Sequence, residues 1–485
     1  LKDIHMADYE PVIGFEIHAE LATASKVFCG CSTEPGAPPN THTCPICLGL
    51  PGVLPVLNEA ALEYALKVAL ACHCTVSSPS IFERKNYYYP DLPKNYQISQ
   101  KRAPFGLNGW VEFEVEGRIK RIGIDDIHLE EDAGKLIHPE ERGAAGFSLV
   151  DYNRAGVPLL EIVSAPEIHT IPEAEAYMTH MRQLLQFLEV SEARMELGQI
   201  RFEANISVRP RGSDKLGKRV EIKNLNSFRG VARAAEYEIE RQTEIYESGG
   251  LIAQETRLWD EANEVTVAMR GKEESHDYRY FPEPDLTPMV FTTEYLDCLR
   301  AGLPELPAAR RARFIAKYGL PEYDAKILTS EKSLADFVDA AVKLGAPPKA
   351  VSNWTMGELL RLLNDRGIEP AETKITPERL AALIILVEGG KINNNQAKQV
   401  FAEMFETGKA PETIVRERGF EQISDTGAIE SIVDAVISAN PEPARRYTAG
   451  EDKPLGFLVG AVMKESRGKA NAQMVNELIR TKLRK

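Results

Sequence analysis

The segment Val12-Ile-Gly-Phe-Glu-Ile-His-Ala-Glu20 decides the architecture of the first half of the chain. Its large apolar residues Ile13, Phe15 and Ile17 fall on one face of an extended strand, and Glu16, His18 and Glu20 fall on the other. Side chains of a β-strand alternate between the two faces of its sheet, so one side of this strand suits a core and the other suits polar chemistry. The pattern recurs outward from there. Trp110-Val-Glu-Phe-Glu-Val-Glu116 alternates, turns at Gly117 and continues through Ile119-Lys-Arg-Ile-Gly-Ile124 as a hairpin. Ala204–Arg209 and Arg219–Lys223 make a second strand pair around the loop at Gly212.

Helices are marked by their ends. Thr170 with Glu173 forms a capping-box pattern, Pro172 lies in the first turn, and Tyr177, Met178, Met181, Leu184, Leu185 and Leu188 recur at core-facing helical spacing. A further helix runs from about Val231 to a stop at Gly249-Gly250. Strand groups interrupted by helices, without regular βαβ alternation, indicate an α+β fold. Beyond residue 296 the chain reads as short amphipathic helices, broken at Gly319–Pro321, Gly345–Pro348, Gly389-Gly390, Gly408–Pro411 and Asn440-Pro441. The expected division is therefore an α+β domain over 6–295, a helical domain over 296–407 and a helical tail over 408–485. Leu1–His5 precede Met6 and read as a remnant outside the fold.

The 485 residues are 43% apolar and 27% charged, enough for two or more domains. Neither a stretch of about twenty apolar residues nor a signal-peptide pattern occurs, so a soluble, cytoplasmic protein without membrane partners is expected. The net charge of −14 excludes a protein that coats nucleic acid through a general positive field. Nucleic-acid contact must be local, and Met463–Lys485 supplies a place. There Lys464, Arg467, Lys469, Arg480, Lys482, Arg484 and Lys485 outnumber Glu465 and Glu477 by five charges.

Seven cysteines make an odd count for a disulfide framework. Cys29-Gly-Cys31 and Cys44-Pro-Ile-Cys47 are two close pairs that suit tetrahedral thiolate binding of a structural Zn²⁺, whose closed shell would brace a loop and do no chemistry. Cys72-His73-Cys74 is a rival pair and leaves the ligand set open.

The strongest constellation joins Glu16 and His18 to Asp125-Asp-Ile-His-Leu-Glu-Glu-Asp132 and to Glu161, a lone acid inside Val157-Pro-Leu-Leu-Glu-Ile-Val163. A single such acid is ordinarily a solvated charge. Several facing one cavity with a histidine would hold Mg²⁺ by oxygen and nitrogen donors and leave positions for the oxygens of ATP. Alternation sends Glu130 and Glu131 to opposite faces and does not choose between them. Lys85 and Lys223 are assigned as catalytic cations, and Asn153, Arg154 and Asn224 as nucleotide contacts, with Arg201 nearby, because phosphoryl transfer needs such groups around its spread negative charge. Asn86-Tyr-Tyr-Tyr-Pro90 and Asp277–Asp285 supply aromatic walls. Gly212-Ser-Asp-Lys-Leu-Gly217-Lys218 matches the first part of a P-loop, but Arg219 stands where Ser or Thr is required and a strand follows, so it reads as a hairpin turn.

Gly14–His18, Arg84–Asp91, His128–Lys135, Asp151–Gly156, Glu221–Phe228 and Asp277–Leu286 resemble the motifs of one family, the B subunit of the bacterial aspartyl/glutamyl-tRNA amidotransferase. Gly390–Ile392, Ala397-Lys398, Gly460–Lys464 and Gly468–Asn471 extend the resemblance through the tail. It implies a cradle-shaped catalytic domain of glutamine synthetase type, a helical domain and a tail that grips tRNA. It also implies the reaction: ATP-dependent phosphorylation of the side-chain carboxylate of misacylated Glu-tRNA(Gln) or Asp-tRNA(Asn), then amidation. Ammonia would come from the amidase (A-type) partner of a heterotrimer completed by a small C-type partner, since no amidase or glutaminase signature is present here. By motif, His18, Glu131 and Glu161 would be the Mg²⁺ ligands, with Glu16 and Glu130 in the same shell.

Overall fold

A computed structural model describes residues 9–137, 147–269, 277–368, 370–420, 426–466, 470 and 472–483. Leu1–His5 and, within the basic tail, Arg467, Lys469, Asn471, Arg484 and Lys485 lie outside the described residues. Two compact units are present, Leu1–Ala308 and Ala309–Lys485.

The first unit contains fourteen strands among its described residues: β1 (Tyr9–Glu20), β2 (Thr75–Val76), β3 (Glu83–Asn86), β4 (Tyr96–Ser99), β5 (Gly106–Val115), β6 (Arg118–Glu131), β7 (Lys135–Ile137), β8 (Leu149–Asp151), β9 (Pro158–Ser164), β10 (Ile200–Pro210), β11 (Val220–Lys223), β12 (Glu255–Asp260), β13 (Val265–Ala268) and β14 (Phe281–Pro282). Nine of them form one sheet in the order β13-β12-β11-β10-β1-β9-β6-β5-β2, and β14-β3-β4 form a small separate sheet. β1 lies in the interior of the large sheet, antiparallel to both β10 and β9. β11 and β12 are the parallel neighbours.

Alternation explains the layering. Ile13, Phe15 and Ile17 of β1 are fully buried, whereas Glu16, His18 and Glu20 are half-buried on the opposite face. The buried face meets the helices Ile171–Phe187 and Phe228–Glu247: Phe15 stacks on Tyr177 at 5.8 Å and meets Phe202 edge-on at 6.1 Å. The Met and Leu stripe of Ile171–Phe187 is buried in this core. Its cap is a variant of the expected box. Thr170 Oγ1 accepts from the Glu173 N–H at 3.2 Å, while the Glu173 carboxylate accepts from the His169 N–H, one residue before the cap. The next helix begins at Phe228, three residues ahead of the apolar pattern, because the Ser227 side chain accepts from the Gly230 N–H at 2.9 Å.

The β5–β6 hairpin turns through Glu116 and Gly117, both at positive φ (50° and 75°), the combination that two-residue hairpin turns require. Gly212–Arg219 connects the antiparallel pair β10 and β11, in keeping with a hairpin loop. Past residue 296, Leu296, Leu299, Leu303 and Leu306 still pack against this first core.

In the second unit the Gly and Pro breaks separate helices. Gly319–Pro321 ends Pro307–Tyr318, Gly345–Pro347 follows Lys332–Lys343, and Gly408 in a left-handed conformation ends Asn394–Thr407. The helices Thr426–Ala439, Pro441–Thr448, Lys453–Glu465 and Ala472–Leu483 gather Ile429, Val433, Tyr447, Leu458, Val462 and Ile479 into a core of their own. Asp339 is buried against three partners: Arg310 (2.6 Å), Arg313 (2.9 and 2.7 Å) and the Tyr318 hydroxyl (2.6 Å). Burial opposes its charge, but hydrogen bonds from Arg313, Tyr318 and Arg310 hold the carboxyl well below the usual range. A depressed carboxylate stabilises the fold above the unfolded-state value and loses that contribution as pH falls through its own. Asp339→Asn should therefore destabilise the chain in urea at pH 7 by about 3–5 kcal/mol, with the difference from wild type narrowing below about pH 4.

Candidate functional site

Register brings the polar residues together. Arg201 of β10 is the cross-strand partner of His18, His18 of Glu161, and Glu161 of His128, so one row crosses β10, β1, β9 and β6. Directly opposed residues of antiparallel strands lie about 4.5–5.5 Å apart at Cα, close enough for side chains on one face to touch. They do: Glu161 Oε2 is 3.3 Å from His18 Nε2 and 3.2 Å from His128 Nε2. His128 Nδ1 is in turn 2.7 Å from Asp126 Oδ1.

Asp126, His128 and Glu130 reach this face through a β-bulge. β6 pairs with β9 through Ile124↔Ser164 and then Asp126↔Val163, so Asp125 is an extra residue. Before it, Ile122 and Ile124 point into the core; after it, Ile127 and Leu129 do. An inserted residue reverses the alternation, which turns Asp126, His128 and Glu130 toward the polar face. The signal was legible as the three-residue step from Ile124 to Ile127 in an otherwise two-residue pattern.

His18, Glu130 and Glu161 each offer a donor atom, and these lie within 4.8 Å of one another. The His18 Nδ1 atom is buried without a hydrogen-bond partner. Electrostatics couple the group. Burial raises Glu130, and the Glu161 charge raises it further. Burial pushes Glu161 the same way, but the His128 and His18 imidazoles hold it well below the ordinary carboxylate value. Burial disfavours charged His128, yet Glu161 and Asp126 lift it to about 10. Lys85 arrives from β3; burial opposes its charge, but Glu130, Tyr280, Tyr87 and Glu161 together raise it. Its ammonium sits 5.3 Å from the Tyr278 ring and 5.7 Å from the Tyr87 ring, so the two aromatic segments meet beside the acids. One nitrogen and two carboxylates, beside a cation, fit a hard divalent ion such as Mg²⁺.

Other expected residues go elsewhere. Glu131 is on the opposite face, paired with Lys94 and accepting from the Ile98 N–H at 2.9 Å; the one-residue offset from Glu130 separates them. Glu16 groups with Glu203 and Glu221, again with donors within 4.8 Å, and Lys223 lies 3.4 Å from both Glu203 and Glu221. Glu203 and Glu221 are strand acids that single-strand reading passed over, although each occupies a polar alternation position. Arg154 donates to the Ala133 and Gly134 carbonyls and lies 3.6 Å from Asp132, the acid that also takes Arg201 at 3.2 Å. Asn153 accepts from the His42 N–H and donates to the Pro38 carbonyl, bracing the cysteine loop. Asn224, at φ 64°, donates to the Trp259 carbonyl of β12. In this structure Asn153 and Asn224 thus bond to neighbouring backbone.

Cys29, Cys31, Cys44 and Cys47 bring their sulfurs within 4.8 Å of one another, whereas Cys72 and Cys74 are buried in the hydrophobic core. The Cys29 thiol holds Cys47 down to about 4 against burial, with the Cys44 N–H (3.2 Å) and Lys26 (3.7 Å) assisting. Four sulfurs this close fit Zn²⁺.

Comparison with known proteins follows the same division of the chain. The family described as "GatB/GatE catalytic domain" matches residues 11–297, and that described as "GatB domain" matches residues 336–483. A Carboxydothermus hydrogenoformans protein, named as the B subunit of an aspartyl/glutamyl-tRNA(Asn/Gln) amidotransferase, is 55% identical over 99% of this chain and all of its own length. Proteins of the same name from Brevibacillus brevis (98% of each chain) and Moorella thermoacetica (98% of this chain, 100% of its own) are each 54% identical.

The geometry separates Glu130 from Glu131 experimentally. In the full-length chain Glu130→Gln should weaken Mn²⁺ binding, read by electron paramagnetic resonance, at least about 10-fold. Glu131→Gln should leave Mn²⁺ affinity unchanged and cost about 3 kcal/mol of stability by stranding Lys94. Equal loss of Mn²⁺ binding in both would return Glu131 to the cluster.

Proposed function

Because this chain belongs to the family of B subunits of the aspartyl/glutamyl-tRNA(Asn/Gln) amidotransferase, we propose that the His18–Glu130–Glu161 cluster is where a tRNA-bound glutamate or aspartate has its side-chain carboxylate activated. The observation that carries this reading is the convergence of one imidazole and two carboxylates, from three different strands, beside the Lys85 ammonium. A free carboxylate resists attack by ammonia because it is an anion with no leaving group. ATP with Mg²⁺ supplies the phosphoryl group that makes one, and the charge neutralisation that lets two anions meet.

The chain's own residues do the rest. His18, Glu130 and Glu161 would hold the ion, and Lys85, beside Glu130 and flanked by Tyr87 and Tyr278, faces the charge that spreads during transfer. Glu16, Glu203, Glu221 and Lys223 extend the same polar face toward β11 and balance the site at that edge. Arg154 and Arg201, which both meet Asp132, would contact phosphate oxygens. The large sheet, with helices on one face and this polar row on the other, is the floor of a cradle of glutamine synthetase type. The cysteine loop carries a structural Zn²⁺. Residues 408–485 form the tail that engages tRNA, with Lys464, Arg480 and Lys482 among its described cations. Ammonia comes from the amidase (A-type) partner, with the small C-type partner completing a heterotrimer. No helix among the described residues is long and apolar enough to cross a membrane.

With externally supplied ammonia, the assembled enzyme should convert Glu-tRNA(Gln) or Asp-tRNA(Asn) only when ATP and Mg²⁺ are present, releasing ADP. His18→Ala or Glu161→Ala should lower that rate at least about 100-fold while tRNA affinity stays near wild type. Turnover unchanged by either substitution would remove the proposed site. Metal analysis of the purified chain should find about one zinc per chain, lost in Cys47→Ser together with thermal stability.

A further inference from the structure

Glu161 is touched by two histidines that are not equivalent. Both contacts fall on one oxygen, Oε2, at 3.3 Å from His18 Nε2 and 3.2 Å from His128 Nε2. The other nitrogen of His18, Nδ1, is buried without a hydrogen-bond partner. The other nitrogen of His128 is engaged by the Asp126 carboxylate at 2.7 Å. The Asp126 contact fixes the plane of the ring, and its far nitrogen, Nε2, meets Glu161. What His128 offers Glu161 is a ring held in one orientation.

We propose that Asp126 and His128 are positioning residues, in which Asp126 orients the His128 ring and that ring pins Glu161 Oε2, leaving Oε1 to turn toward a divalent ion shared with His18 and Glu130. The inference rests on the reading of that cluster as the ion site. The bulge at Asp125 is what makes the device possible, since it places Asp126, His128 and Glu130 in succession on the polar face. Outer-shell partners of this kind orient the coordinating group before the ion arrives, and their loss typically weakens binding about 10–100-fold.

The test uses the full-length chain and Mn²⁺ as the probe, read by electron paramagnetic resonance without any turnover. His128→Ala should weaken Mn²⁺ binding about 10–100-fold. His128→Gln, whose side-chain amide can present an N–H where the ring Nε2 stood, should recover most of that loss. Asp126→Asn should show a smaller loss, about 3- to 10-fold, within the same outer-shell range or just below it. Mn²⁺ affinity unchanged in His128→Ala, or His128→Gln binding no better than His128→Ala, would overturn the proposal. Asp126 has a side chain 29% exposed and makes a mild variant. Should the His128 variants fail to fold, Asp126→Asn decides alone, and wild-type affinity there overturns the proposal. Glu161→Gln is the reference: if it leaves Mn²⁺ binding unchanged, the premise fails as well, whereas its loss alongside an unaffected His128→Ala sinks only the positioning role.

Discussion

The polar face of the large sheet centres on the carboxylate of Glu161, an anion set in the interior of nine strands and largely shielded from water. A buried carboxylate without compensation is costly and would take up a proton. Here two imidazoles, from β1 and β6, close on the same oxygen and keep it charged. That compensation exists only while three strands hold one register. A slip of one residue anywhere in β6–β9–β1 would send the compensating ring into the hydrophobic layer and a core side chain into the polar face. The packing of Phe15, Tyr177 and Phe202 beneath β1 is thus also what keeps the charged row aligned above it.

The bulge in β6 lets one strand serve two purposes. Upstream of Asp125 the strand is half of a hairpin whose apolar positions are Ile122 and Ile124; downstream its polar positions become those of the site. The parity that brings Glu130 to Glu161 sends its neighbour Glu131 the other way, where Lys94 compensates it beside Cys29 and Cys47 in a shared cavity. Two adjacent glutamates, identical in chemistry, thereby take separate work. One belongs to the acid–imidazole cluster, and the other ties the end of β6 to the cysteine loop.

The second unit obeys a different constraint. Its helices are short and divided by Gly and Pro, so packing between helices rather than helix length must hold it together. The buried Asp339 with Arg310, Arg313 and Tyr318 joins Pro307–Tyr318 to Lys332–Lys343 by charge-assisted hydrogen bonds, and the last four helices close on their own apolar core.

By itself the sequence determined what is local: the two faces of β1, the β5–β6 hairpin at Gly117, the Thr170 cap, the glycine and proline breaks, and the likeness of Cys29, Cys31, Cys44 and Cys47 to a thiolate site. Each of these depends on residues a few positions apart, where alternation and capping act. Tertiary structure alone decided that His18, Glu161 and His128 share a row, that Lys85 approaches from a separate small sheet, that Glu203 and Glu221 join Glu16, and that Asn153 braces the cysteine loop. Strand order and register are set by long-range packing of whole apolar faces, so no short stretch of chain contains the distance between residues 18, 128 and 161.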